Sequence, residues 1–209
     1  MQKFMEHYVL NKINVPKHKM LATKRNYDEV IDFCLRTRAQ IKNNELEKAK
    51  DYFSNNYLKF KNAIKNKDFE GLKKLLYTDI TELEKEKKIG VGQKISSLIL
   101  EVFIHYGIKD GNLRKKLFVP LDRHVVRVLE YAFNVEIKQS TFKYGSKKFH
   151  ELQNLLKKCS VSGNSIYFDY LWFIGKIFHP ELSDSEHNRG YRLCSMCWIK
   201  DCCLDENKW

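Results

Sequence analysis

Between residues 45 and 66 the apolar side chains fall at Leu46, Ala49, Phe53, Tyr57, Phe60 and Ile64, in steps of three and four. That is the period of one helix face, and the opposite face is Lys-rich, so the pattern predicts a helix buried along one side. The same period runs through Val30, Phe33, Cys34 and Ile41. Ahead of it, Asn26-Tyr27-Asp28-Glu29 reads as an N-cap with a capping-box Glu. A short helix is expected from about Asp68 to Leu76, with Thr78 or Thr81 capping the next, whose Ile80 and Leu83 face inward. The period breaks over Ile89-Gly90-Val91-Gly92-Gln93-Lys94 and resumes with Ile95, Leu98, Ile99, Val102 and Phe103. Residues 107–119 read as a basic loop. Pro120 and Asp122 restart a helix through Val125, Val128, Leu129 and Ala132, and two more are expected near 146–158 and 165–178. Alternation of period two is sparse, and Phe133 to Ile137 is too short for a strand. Residues 1–25 read as an arm or short helix, and 180–209 as a polar, Cys-rich tail. The prediction is an all-α protein of about eight to ten short helices, with no internal repeat.

Composition narrows the class. A chain of 209 residues with 43% hydrophobic content can bury a sizeable core, as one domain or two fused lobes. Its net charge of +12 favours an anionic partner. The apolar run from Tyr167 to Phe178 is broken by Asp169 and Lys176 and falls short of the ~18–20 residues of a membrane span. The N-terminus lacks a secretory h-region. The expectation is an intracellular protein, in cytoplasm and nucleoid or nucleus, without a membrane partner. Four of the six cysteines lie between Cys194 and Cys203. So tight a cluster reads as metal or iron–sulfur ligation rather than a disulfide framework. Cys34 and Cys159 sit in apolar helical patterns and are expected to be core thiols.

Three segments carry candidate chemistry. Gly90 and Gly92 would uncover backbone N–H groups at a helix N-terminus, which is how a phosphate site is built, although an ordinary turn needs the same residues. Lys94, one turn on, is either a solvated cation or an amine nucleophile, a role that requires partial desolvation. Asp122 reads as an N-cap, and a carboxylate so held could also stabilise a cation or activate a nucleophile opposite it. His124 reads as a satisfied histidine and Arg127 as a surface or phosphate-facing residue. The aromatic stretch Tyr167-Phe168-Asp169-Tyr170-Leu171-Trp172-Phe173 is core or a stacking platform, with Asp169 and Trp172 as base-pocket candidates.

Together these residues resemble a known superfamily. Ile89-Gly90-Val91-Gly92-Gln93-Lys94 resembles the hairpin of the helix-hairpin-helix DNA glycosylases, and Leu121-Asp122-Arg123-His124-Val125-Val126-Arg127-Val128 resembles the Asp-x-His-Val-x-Arg-Val segment that follows it there. The resemblance covers roughly residues 70–205. It implies a two-lobed, all-α glycosylase fold with the active site in the cleft between the lobes. Residues 45–160 would form the helical lobe with the hairpin, and 1–44 with 161–209 the terminal lobe. It implies Lys94 as nucleophile, Asp122 as essential aspartate, and DNA contacts from Gly90, Val91, Gly92, Gln93, His124 and Arg127. A lysine at this position marks the members that couple base removal to strand cleavage.

The sequence also departs from the family. Lys88-Ile89 stands where Leu-Pro usually precedes Gly-Val-Gly, and Lys94 and Asp122 are 28 residues apart, longer than in most members. The extra length is the basic segment Ile108 to Lys116. Archaeal 8-oxoguanine glycosylases of the branch named AGOG carry a long insertion here too. Cys194, Cys197 and Cys203 match three ligands of the loop of endonuclease III-like and MutY-like glycosylases, with His187 where the remaining cysteine stands; an alternative alignment offers His179. The resemblance therefore implies a [4Fe-4S] cluster, with zinc or no metal as alternatives. The expected partner is duplex DNA containing a damaged base, bound by a monomer with no nucleotide cofactor. The favoured lesion is 8-oxoguanine, and the alternatives are oxidised pyrimidines, a non-catalytic hairpin DNA-binding protein, or a protein-interaction module.

Overall fold

The computed structural model describes residues 15, 19–38, 43–108, 110–137, 144–160 and 171. Among these the protein is helix and turn, without a strand, as the periodicity predicts. The chain divides into two units, Met1–Leu117 and Phe118–Trp209.

The first helix among the described residues is α1, Lys24–Arg38. Its start lies ahead of the expected Asn26, because the Thr23 hydroxyl accepts a hydrogen bond from Asn26 N at 3.1 Å and serves as the cap. The single helix expected over 45–66 is two, α2 (Asn43–Asn55) and α3 (Tyr57–Lys65). At the junction Asn56 adopts φ −98°, ψ 12°, and its side chain donates to Tyr52 O at 2.9 Å. Asparagine amides compete in this way with the helical ladder. The apolar face nevertheless runs on across the break, with Leu46, Ala49, Phe53, Tyr57, Phe60 and Ile64 all buried. Lys50 Nζ lies 2.8 Å from Asp32 and ties α2 to α1. Burial pushes the Asp32 carboxyl up, but hydrogen bonds from Arg36 and Lys50 outweigh it and hold the group below its ordinary range.

Next comes α4, Phe69–Lys73, capped by Asp68, whose carboxylate accepts from Gly71 N at 2.8 Å. The chain continues through a π-helical stretch, Lys74–Asp79, directly into α5, Ile80–Lys87. Neither Thr78 nor Thr81 is a cap, since the helix is never interrupted; the Thr81 hydroxyl donates to the Tyr77 carbonyl within it. After a turn comes α6, Gln93–Val102, then a second π-helical stretch, Phe103–Ile108. The expected basic loop contains one helical turn, α7 (Gly111–Arg114), because Asp110 Oδ1 accepts from Asn112 N at 2.8 Å and Leu113 N at 3.4 Å. The α6 helix is buried nearly all round, from Ile95 to Leu100 and again at Val102, as a central helix must be. It packs on α1 and on the first π-helical stretch. Beside it Tyr27 stacks on Phe103 with ring centroids 6.0 Å apart, and Phe60 lies 5.5 Å from both Phe53 and Phe103.

Among its described residues the second unit has α8, Arg123–Phe133, and α9, Lys147–Cys159. Asn134 ends α8 in the left-handed region, at φ 50°. The Ser146 hydroxyl caps α9 by accepting from Phe149 N at 3.2 Å. Val125, Val126, Val128 and Leu129 of α8 meet Phe149, Leu152 and Leu156 of α9, together with Val119, Leu121 and Leu171. Within this core the buried Gln153 amide pairs with the backbone of Val119 at both ends, accepting from Val119 N at 3.0 Å and donating to Val119 O at 2.8 Å. Of the two expected core thiols, Cys34 is buried and Cys159 is exposed. Cys159 is the last residue of α9, beyond the point where the described core accompanies the helix.

Gln153→Leu preserves bulk but leaves the Val119 N–H and C=O buried without their partner. Urea unfolding should show a loss of about 2–4 kcal/mol, the cost of stranding two backbone groups. A loss under about 0.5 kcal/mol would mean that the amide does not hold this loop.

Candidate functional site

The turn between α5 and α6 is fixed from behind. Ile89 and Val91 are 0% and 2% exposed, whereas Gly92 is exposed. Lys88 closes α5 in the left-handed region at φ 49°, and Gly90 lies there too at φ 69°. Glycine adopts that conformation without the Cβ clash that penalises other residues. Ile89 N donates to Glu84 Oε2 at 2.8 Å. A proline at 89, usual in the glycosylase hairpin, would have no N–H to donate. The departure at Ile89 therefore comes with its own hydrogen bond, and Glu84 is a residue that the sequence pattern alone did not single out. Lys48 Nζ donates to Lys87 O at 3.0 Å and steadies the end of α5.

Gly92 is the N-cap of α6, with φ −94°, and no side chain caps the helix. Its carbonyl accepts from Ile95 N and Ser96 N, both at 3.1 Å. A Cβ added at Gly92 would meet no atom within 4 Å, so the helix N-terminus is open on that side. An uncapped N-terminus with room in front of it suits an anion. Behind it, the Gln93 amide donates to Ser97 Oγ at 3.1 Å, and Ser97 Oγ lies 2.9 Å from the buried Tyr77 hydroxyl. The side chain of Gln93, a predicted DNA contact, is thus tied to the first π-helical stretch. Lys94 sits in the first turn of α6 and is half-buried.

Asp122 belongs to the second unit. It is 8% exposed and caps α8, with Oδ1 accepting from His124 N at 2.9 Å and Val125 N at 3.0 Å. The N-cap expected from the sequence is present. The approach to it, Val119 to Leu121, is buried and held by Gln153. The signal for Gln153 was in the sequence: an amide in the apolar stripe Phe149, Leu152, Gln153, Leu156 needs buried partners. His124 is half-buried, and the backbone of Arg127 lies in α8. Lys94 and the hairpin fall in one unit, and Asp122, His124 and Arg127 in the other.

Asp169, Trp172, His179, His187, Cys194, Cys197 and Cys203 lie outside the described residues. Among the described residues no group of three or more His, Cys, Asp and Glu side chains could hold a metal ion. No helix among them is long and apolar enough to cross a membrane. Comparison with protein-family models, curated proteins and solved structures returns no match.

Gly92→Ala tests the hairpin as an anion site. Open space and an ordinary φ make the substitution structurally mild, within about 1 kcal/mol of stability. If a phosphate approaches these N–H groups, the new methyl obstructs it, and duplex affinity should fall about tenfold, or ~1.4 kcal/mol. Unchanged affinity in a fluorescence-anisotropy titration would leave the hairpin as a plain turn.

Proposed function

We propose that this protein is a base-excision DNA glycosylase with an associated abasic-site lyase activity, on the two-lobed helix-hairpin-helix fold. Residues 45–160 would be the helical lobe and 1–44 with 161–209 the terminal lobe. The observation that carries the reading is the ordered pair along the chain. A glycine turn between two helices is followed by the half-buried Lys94 in the first turn of α6. Then comes Asp122, capping the helix that carries His124 and Arg127. A protein that only grips the DNA backbone needs the glycines but not Lys94, and needs Asp122 only as a helix cap.

In this reading the basic surface binds duplex DNA through its phosphates. The damaged nucleotide is flipped out, because its glycosidic bond is unreachable within the stack. Lys94 Nζ bonds to C1′ as the bond from C1′ to the base breaks, and the base departs with the bonding pair and takes up a proton. The Lys94 nitrogen loses a proton and forms a double bond to C1′ as the C1′–O4′ bond breaks, and O4′ takes up a proton to become a hydroxyl, leaving a protonated Schiff base. Loss of a C2′ proton then expels the 3′ phosphate and cuts the strand. Asp122 accepts a proton or stabilises the positive charge on the sugar, held in one geometry by its two backbone hydrogen bonds. Asp169 and Trp172 would face the flipped base. The favoured substrate is 8-oxoguanine, on the ground that the long insertion borders the catalytic pair. The endonuclease III-like Cys loop favours oxidised pyrimidines as the second reading.

Borohydride should trap a covalent adduct on a duplex with the correct lesion or an abasic site. Lys94→Gln should abolish trapping and keep DNA binding. Asp122→Asn is a clean partner experiment, because asparagine caps a helix as well as aspartate does and only the charge is lost. Base release should slow by at least ~100-fold at unchanged stability. Full trapping by Lys94→Gln would overturn the assignment. Single-turnover cutting of thymine glycol at least about tenfold faster than of 8-oxoguanine, ~1.4 kcal/mol in the barrier, would select the second substrate.

We further propose that Cys194, Cys197 and Cys203, with His187, hold a [4Fe-4S] cluster, with zinc as the alternative. Thiolates suit either metal, and its role would be to brace the tail rather than to take part in the chemistry. Anaerobically purified protein should be brown and contain iron and sulfide. Colourless protein with one zinc per chain would keep the ligands and reject the cluster, and separate substitution of His187 and His179 identifies the fourth ligand.

A further inference from the structure

We propose that α4 and the basic insertion form one polyanion-docking surface that takes the sugar–phosphate backbone of duplex nucleic acid, in addition to the hairpin. The identity of the polyanion rests on the DNA reading above; the surface itself does not depend on catalysis. Two stretches far apart in sequence meet here. Lys116 Nζ lies 5.9 Å from the centre of the Phe69 ring, and Lys73 Nζ lies 5.6 Å from the same ring. Lys67 Nζ lies 3.8 Å from Asp110 Oδ2. Residues 65–74 and 110–116 carry seven basic and three acidic side chains.

All three acids are engaged locally. Asp68 and Asp110 cap α4 and α7 through backbone N–H groups, and Glu70 lies 3.0 Å from Lys73. Lys67, Lys74, Lys115 and Lys116 remain exposed, so the patch keeps a positive excess. Lys67 holds its place in the left-handed region at φ 54°, where a glycine would avoid a cost of roughly 1 kcal/mol.

The composition of the patch selects nucleic acid over an acidic protein. Protein interfaces centre on aromatic and apolar residues and are depleted in lysine. Here Phe69 and Leu72 are buried at 6% and 0% exposure, and lysines face the solvent. Nucleic-acid interfaces are polar and strongly positive.

The test is the salt dependence of binding to an undamaged fluorescein-labelled duplex. Wild-type protein should show a steep log–log slope. Lys74→Gln/Lys115→Gln removes two exposed ammonium groups and should reduce the magnitude of that slope by about 1.8, two phosphates at 0.9 each. Lys67→Gln/Lys116→Gln should do the same, with circular dichroism checking that the docked insertion survives. Lys157→Gln/Lys158→Gln, exposed on α9, makes the same change in net charge elsewhere and should leave the slope unaltered. A wild-type slope with an unchanged Lys74→Gln/Lys115→Gln variant overturns the patch and spares the DNA reading. An equal drop in the α9 control also overturns it, by showing that only net charge matters. A flat wild-type slope overturns both, and displacement of the duplex by polyglutamate at equal charge concentration would assign the surface to an acidic protein instead.

Discussion

The candidate site in the first unit depends on an alternation over four residues. Ile89 and Val91 are buried in the core, Gly90 turns the chain at positive φ, and Gly92 faces open space. The buried pair pins the turn by the same apolar burial that stabilises the unit, so the backbone of the turn is not a free loop. Glu84 adds a hydrogen bond from the preceding helix to Ile89 N. The Gln93–Ser97–Tyr77 chain adds another from the following helix to the first π-helical stretch. Because the turn is held on its inner side, its outer side can be bare glycine without losing its shape. Such preorganisation is what an anion site built from backbone N–H groups needs.

The acidic residues explain how a chain with 26 carboxylates can present strongly positive surfaces. Several of those carboxylates are turned onto backbone N–H groups: Asp68 on Gly71, Glu84 on Ile89, Asp110 on Asn112 and Leu113, Asp122 on His124 and Val125. Each meets backbone N–H groups at a helix end or a turn, and Asp110 also lies 3.8 Å from Lys67 Nζ. The lysines beside them are left less neutralised than a count of charges along the sequence suggests.

Helix positions were legible because the core is read through a period of three to four, and burial at Phe53, Phe60, Ile99 and Val125 follows that period. The Gly-Val-Gly turn and the cap at Asp122 were legible because each needs particular residue types. What escaped the sequence were choices between near-equal local alternatives. Thr23 and Asn26 can both cap a helix, and only the bond from Asn26 N to Thr23 shows which one does. The π-helical stretches carry no residue signature, so the chain from Phe69 to Lys87 reads as two helices and is one continuous path. Cys159 follows the apolar stripe but lies at the end of α9, and exposure there depends on where the partner surface stops. Contacts distant in sequence, such as Lys116 with Phe69, leave no trace in local pattern.

Asp122 shows why a structural role and the proposed chemical role need not compete. A helix N-terminus stabilises an anion, and two backbone N–H groups fix the position of Asp122 Oδ1. Those bonds cost the side chain its rotational freedom once, on folding, so in the proposed reaction none would remain to be lost on substrate binding. Gln153 extends the same logic one step back along the chain. By clamping both backbone groups of Val119 it fixes the segment that delivers Asp122 to the helix. A carboxylate placed by a cap, and a cap placed by a buried amide, form a chain of constraints that starts in the core of the second unit and ends at the charge itself.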